Sequence, residues 1–184
     1  MSRTAVTLRE ASVEDAEALA ELWAEQVQRS MAPVDDMRLL IKQVATVDGD
    51  RIVVAEFDGV FAGAVFLRIE QRSPFEQELA VNVLFPCVVP ALRRHGVGRA
   101  LVEAAVQWAE NRGITQIRAA STSNSRLAHR FLARLGLGPL AVQRVGATHL
   151  VRSRVSPGRM SGGQPMPRSM GALLAQRRRQ REGT

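Results

Sequence analysis

The chain has 184 residues, 46% of them hydrophobic, and a formal charge of +7, which allows one domain of about 150 residues with a tail. A single cysteine, Cys87, excludes an internal disulfide framework, and no run of about 18 apolar residues offers a membrane span. The charge is uneven: from Ser156 onward there are six arginines and one glutamate, while the first 155 residues hold 19 basic and 17 acidic side chains. Met1-Ser2-Arg3-Thr4 leads directly into an alternating pattern without an apolar signal core, so a soluble cytoplasmic protein with no membrane partner is expected.

Val6 and Leu8 alternate with Thr7 and Arg9, the pattern of a half-buried strand over residues 5–11. Ser12-Val13-Glu14-Asp15 is an N-cap signature with acids in the first turn, and Ala16, Leu19, Ala20, Trp23 and Val27 share one face of the helix that follows. Pro33 closes this region, and Asp35 or Asp36 caps a second helix with Met37, Leu40, Ile41 and Val44 inward. Residues 52–57 and 60–69 flank Asp58-Gly59, a strong hairpin signal. A polar loop over 70–77 precedes a long apolar strand, 79–89, in which Pro86 would delete a ladder bond if the strand were central.

After Pro90 the chain reads Ala91-Leu92-Arg93-Arg94-His95-Gly96-Val97-Gly98-Arg99, a basic turn punctuated by glycine. Leu101, Val102, Ala105, Val106, Trp108 and Ala109 then recur at helical spacing until Asn111-Arg112-Gly113. Residues 114–120 form the next strand, and Ser121 to Ser125 a polar turn and N-cap. A helix follows with Ala128, Phe131, Leu132 and Leu135 inward, ending at Gly136. Residues 140–145 and 149–155 fit a closing pair of strands around Gly146. The order β, α, α, β, β, β, α, β, α, β, β predicts a single α/β (α+β) domain over 1–155: a mixed, mostly antiparallel sheet of about seven strands with helices on both faces.

The turn at 93–99 is built to hold an anion. Gly96 and Gly98 remove Cβ atoms and permit positive φ, and the helix start that follows offers N–H groups without internal partners at the positive end of the peptide dipoles. Arg93, Arg94 and Arg99 add positive charge. A P-loop is excluded because Arg99-Ala100 stands where Lys-Ser/Thr is needed, and the dinucleotide fingerprint lacks its third glycine.

What remains, Arg-x-x-Gly-x-Gly after a strand ending in Val-x-Pro, resembles the acyl-CoA pyrophosphate loop of the GNAT acyltransferase superfamily. Arg9-Glu10-Ala11 before an acidic helix start is similar to that family's opening. Asn124 followed by Ala128-His129-Arg130-Phe131-Leu132-Ala133-Arg134-Leu135-Gly136-Leu137 resembles its later Asn…Ala-x-x-Phe-Tyr-x-x-Leu-Gly-Phe segment. The resemblance spans nearly all of residues 5–155. It implies acetyl-CoA as co-substrate with no metal, and a small-molecule or peptide amine as acceptor. Pro86, Cys87 and Val88 would present backbone groups to pantetheine, in a gap where the strand parts from its neighbour and Pro86 is tolerated. Arg94, His95, Gly96, Val97, Gly98 and Arg99 would cradle the pyrophosphate. Arg93 either joins them or braces the loop, His95 reads as a solvated loop residue, and Asn124 either touches the cofactor or caps a helix. Cys87 reads as a small core residue.

Acyl transfer to an amine needs a neutral amine, a polarised carbonyl and a proton for the thiolate. The Val88 N–H would hold the thioester oxygen. Where relatives often carry a glutamate base this strand has Asn82, which holds a water but takes no proton at neutral pH. Where they often carry a tyrosine acid it has Leu132, and the chain has no tyrosine at all. The expected chemistry is therefore proximity-driven N-acetyl transfer with a water-relayed proton, Glu56, Glu76 and Glu78 being the distant bases considered. Trp23, Gln26, Met31, Arg68, Glu70 and Arg72 are the acceptor-side candidates, Trp23 reading rather as core. The competing reading is an acyl-CoA-binding sensor or partner-binding module without turnover. The tail from 156 to 184 lacks aromatics between its arginines, so it reads as a solvated segment, disordered or with one short helix, ahead of a contact with nucleic acid or an acidic partner. A monomer and a homodimer are equally compatible with the sequence.

Overall fold

Both faces of a central sheet are covered by helices, and the sequence shows why. In the computed structural model, which describes residues 6–24, 32–73, 75–120, 125–142 and 144–155, five strands are present among the described residues. They are β1 (Val6–Glu10), β2 (Asp50–Phe57), β3 (Val60–Ser73), β4 (Glu76–Val88) and β5 (Gln116–Ala119), ordered β1-β2-β3-β4-β5. Neighbours run antiparallel except β4 and β5, which are parallel. Strands that read as continuous apolar runs, such as Ile52-Val53-Val54-Ala55, are buried on both sides.

The β2–β3 connection is the expected hairpin. Asp58 and Gly59 have φ of 51° and 77°, the two left-handed conformations that a two-residue turn with the sheet's twist requires. On one face lie α1 (Ala16–Leu22) and α2 (Pro33–Val44), whose Leu19, Trp23, Met37 and Ile41 pack with Val54, Ala64 and Phe66. On the other lies α3 (Val97–Asn111), whose Leu101, Ala105 and Trp108 pack with Val53, Val65, Leu67, Val81 and Val83. A further helix, α4 (Arg126–Arg134), follows β5. No helix among the described residues is long and apolar enough to cross a membrane.

Between β1 and α1 the Arg9 guanidinium donates two hydrogen bonds to Asp15, both 2.7 Å, and its Nε reaches Glu56 at 2.7 Å. Asp15 also accepts from the Ser12 N–H at 2.8 Å. The guanidinium, more than the backbone donor, holds the buried Asp15 carboxyl below the usual carboxylate range.

Three expectations change. The cap of α2 is Ala32, and Asp35 and Asp36, expected as caps, lie inside its first turn. Pro33 opens α2 instead of closing the region before it: at the first helical position its missing N–H has no partner to lose and its φ is already helical. The expected continuation of the first helix to Val27 lies outside the described residues. The closing strands are also absent. Residues 140–142 and 144–147 have no regular structure, and 148–155 form a helix, α5 (Thr148–Val155), so the described sheet has five strands and not about seven. The alternation of Val151 and Val155 with Arg152 and Arg154 suits a strand only beside another strand that takes its N–H groups. Here Leu150 and Val151 donate to the Ala147 carbonyl at 3.0 and 3.1 Å, and the Ser153 hydroxyl to the Leu150 carbonyl at 2.9 Å, so these groups are satisfied locally. The described residues up to Pro139 and those from Leu140 onward belong to two separate units, α5 to the second.

Candidate functional site

The C-terminal half of β4 carries the irregularity that the sequence hinted at through Pro86. Ala64 pairs with Cys87 and Phe66 with Leu84, so Phe85 and Pro86 together oppose the single residue Val65. This is a bulge, and a proline inside it has no ladder bond to lose. Phe85 takes a φ of 50°, rare for a bulky residue. Its carbonyl accepts a 2.9 Å hydrogen bond from the Trp23 indole N–H, which ties the bulge to α1. Trp23 is thus core, 4% exposed, with one polar contact. Cys87 packs partly against the same cluster, and its thiol reaches the Leu22 carbonyl at 3.7 Å.

Beyond the bulge the strand ladder sets the direction of the amides. Val89 donates to the Ala62 carbonyl at 2.9 Å. Amides alternate in direction along an antiparallel strand, so the N–H of Val88, opposite Gly63, points away from β3. That is the side of β5, and β5 pairs with β4 only from Ala80↔Gln116 to Val83↔Ala119. Among the described residues the β4–β5 ladder splits after Val83, and the Val88 N–H faces the side on which it has ended. Gly63 makes this possible: a Cβ there would lie 2.5 Å from the Cys87 carbonyl oxygen and 3.1 Å from the Val88 Cα. Nothing singled Gly63 out in the sequence, although an isolated glycine within a strand is a sign of close backbone approach.

A single 3₁₀ turn, Pro90–Leu92, leads into the basic turn. Arg94 and Gly96 have φ of 69° and 86°, and Gly96 caps α3, its carbonyl accepting from Ala100 at 3.0 Å. The N–H groups of Val97, Gly98 and Arg99 in the first turn have no carbonyl within the helix to meet. A Cβ on Gly96 would find nothing within 4 Å, so the turn is open in front. Gly98 is different: a Cβ there would meet Phe131 at 3.5 Å and Val88 at 3.7 Å, ordinary contact, so the protein itself has room for a methyl group. Arg93, Arg94 and Arg99 are exposed around this mouth. His95, read as a solvated loop residue, is exposed yet anchored, its ring 4.8 Å from that of Phe57 and Nδ1 2.9 Å from the Arg93 carbonyl. A carbonyl only accepts, so Nδ1 carries the proton.

Asn82 is 9% exposed and donates to the Arg68 carbonyl at 3.2 Å and to the Glu70 carboxylate at 3.4 Å. Of the carboxylates considered as bases, Glu56 is held by Arg9 and Glu78 accepts from the Thr115 hydroxyl at 3.1 Å, so both are engaged by other side chains. The side chain of Glu76 lies outside the described set, as do Gln26, Met31, the side chain of Arg72 and Asn124. The capping role left open for Asn124 belongs to Ser125, whose hydroxyl accepts from the Ala128 N–H at 3.3 Å. Leu132 is 8% exposed and offers no proton. Arg68 makes a bidentate pair with Asp50, 2.7 and 2.6 Å, which raises its pKa. No group of three or more His, Cys, Asp or Glu able to hold a metal occurs among the described residues. A cleft of about 330 Å³ opens at the other end of the sheet near Trp108, but there Arg51 pairs with Glu10 and Arg112 with Asp48.

A family model described as the acetyltransferase (GNAT) family matches residues 16–137. No curated protein sequence matches the chain. Among solved structures, an aminoglycoside N-acetyltransferase in complex with CoA is similar at 17% identity and a TM-score of 0.68, covering 80% of this chain and 97% of that one. A ribosomal-protein-alanine N-acetyltransferase from Brucella melitensis biovar Abortus 2308 is 18% identical, with a TM-score of 0.60 over 78% of this chain and 99% of that chain. For a glucosamine-6-phosphate N-acetyltransferase from Arabidopsis thaliana the values are 15% and 0.64, with coverage of 78% and 99%. At these identities the likeness establishes the fold.

Proposed function

Since the chain belongs to the acetyltransferase (GNAT) family, we propose that it moves an acetyl group from acetyl-CoA to a primary amine of a small-molecule or peptide acceptor. The reading rests most on one observation: among the described residues the β4–β5 pairing stops at Val83↔Ala119, while the Val88 N–H faces the side on which it has ended. The residues present fit the co-substrate. Pro86, Cys87 and Val88 border the split and offer backbone groups to a pantetheine arm. The amides of Val97, Gly98 and Arg99, behind an open Gly96 and among Arg93, Arg94 and Arg99, suit a diphosphate. The named solved relative with CoA bound shares this fold.

In the transfer the amine nitrogen forms a bond to the thioester carbon, the carbon–sulfur bond breaks, the amine loses a proton to water and the thiolate regains one. Val88 N–H donates to the carbonyl oxygen where charge grows. Asn82 orients the water that takes the amine's proton, since its own amide cannot. With Leu132 where a hydroxyl acid would stand, holding the reactants together accounts for most of the rate.

The buried Leu132 also favours a second reading, an acyl-CoA-binding protein that does not turn over. Following free thiol from acetyl-CoA with a panel of amines separates the two. Amine-dependent release is the expected result, and tight CoA binding without release refutes the enzyme.

A further inference from the structure

Arg68, Asn82 and Arg118 stand in one row across β3, β4 and β5: Arg68 pairs with Asn82 in the antiparallel register and Asn82 with Arg118 in the parallel one. Their neighbours in sequence fix the face. Leu67, Val81 and Val83 belong to the core beneath α3, and Ile69, Ile117 and Ala119 pack against it. Alternation therefore turns Arg68, Asn82 and Arg118 to the opposite face, that of α1 and α2. The row lies one residue before the last β4–β5 pair, Val83↔Ala119, and so borders the apex of the split.

Hydrogen bonding along the row is uneven. Arg68 is taken up by Asp50, and Asn82 by the Arg68 carbonyl and the Glu70 carboxylate. Glu70, two residues from Arg68 on the same face of β3, is exposed. Arg118 is the exception: its Nη2 is buried and finds no hydrogen-bond partner among the described residues. A buried guanidinium N–H without an acceptor is costly, and an acceptor from outside, a water or an anionic group, relieves that cost. The groups that satisfy such a fork best are carboxylate and phosphate.

We propose that Arg118 receives an anionic group of the acceptor while its amine, neutral when it attacks, lies beside Asn82 and Glu70, so that the amine acetylated belongs to a small ampholyte carrying a carboxylate or a phosphate. Strands β3 and β5 are two strand spacings, about 10 Å, apart, a span that a small molecule can bridge. The inference rests on the preceding reading, that acyl transfer takes place at this split.

Three probes of matched length test it with acetyl-CoA: β-alanine, 2-aminoethyl phosphate and propylamine, the first two with an anion and the last without. One charge-assisted hydrogen bond predicts kcat/KM at least about tenfold higher for an anionic probe than for propylamine, and the better of the two identifies the anion. In Arg118→Met that ratio falls to near one, and Arg118→Lys restores part of it. Because Arg118→Met also removes a buried N–H without an acceptor, Tm in the absence of any acceptor is unchanged or slightly raised. Equal use of all three probes by the wild type, a ratio unchanged in Arg118→Met, or a lowered Tm overturns the assignment. If the wild type releases thiol with other amines of the panel but with none of these probes, the assignment fails while the transfer reading stands; if it binds CoA by calorimetry and releases thiol with no amine at all, the transfer reading fails and the assignment with it.

Discussion

Replacing Gly63 with alanine tests the geometry of β4 at the point where it matters most. The added Cβ would sit 2.5 Å from the Cys87 carbonyl oxygen and 3.1 Å from the Val88 Cα. Both partners are backbone, so relief requires β3 and β4 to separate by nearly 1 Å, since ordinary contact begins at about 3.4 Å. Overpacking of this kind costs about 1–3 kcal/mol, offset in part by about 0.5–1 kcal/mol because glycine is poor in strands. A net loss of about 1–2 kcal/mol lowers Tm by about 3–6 °C in a domain of this size. The shift also moves the Val88 N–H out of line, and the weakening of one hydrogen bond lowers acetyl-CoA affinity about tenfold. Thermal denaturation and isothermal calorimetry read the two effects separately. A Gly63→Ala protein with wild-type Tm and wild-type affinity would refute the ladder geometry from which the direction of the Val88 amide is deduced.

Gly98→Ala should do the reverse to stability: a methyl group fits at 3.5 Å from Phe131 and alanine favours helix, so Tm holds or rises while CoA affinity falls, as melting and calorimetry will show. Asp15→Asn should cost about 2 kcal/mol near neutral pH. Arg9 lowers the folded pKa of Asp15, so its contribution is fully present above the unfolded value of about 3.9 and is lost as pH falls through the folded one. Denaturant melts should then show the wild-type and variant curves converging in acid, not in base. Glu56→Gln and Glu78→Gln, whose carboxylates are engaged by Arg9 and Thr115, should keep kcat across the neutral pH range when thiol release is followed. Removing residues 156–184 should leave CoA affinity unchanged by calorimetry.

Where a signal is local, the sequence carried it: the Asp58-Gly59 turn, the Gly96 helix start and the apolar face of α3 depend on residues within a few positions of one another. Pro86 announced an irregular β4, although the bulge that accommodates it is visible only once Leu84 and Cys87 are paired with Phe66 and Ala64. Gly63 escaped notice because its constraint comes from Cys87, across the sheet. Arg118 escaped for a similar reason. In sequence it is one polar residue alternating with Ile117 and Ala119, which normally means solvent, and only the register beside Asn82 reveals a buried Nη2 without a partner. Glu70 was placed among acceptor contacts and not near Asn82, because the link runs between strands. The strands expected over 140–155 give way to a helix over 148–155, where Leu150 and Val151 take local hydrogen bonds to the Ala147 carbonyl.

The direction of one amide tests the account most directly. Residue-resolved hydrogen exchange should find the Val88 N–H exchanging fast in the protein alone, while Val89, bonded to Ala62, is protected, and acetyl-CoA should slow Val88 markedly. A Val88 amide already protected without ligand, or still fast once acetyl-CoA is bound, would contradict it.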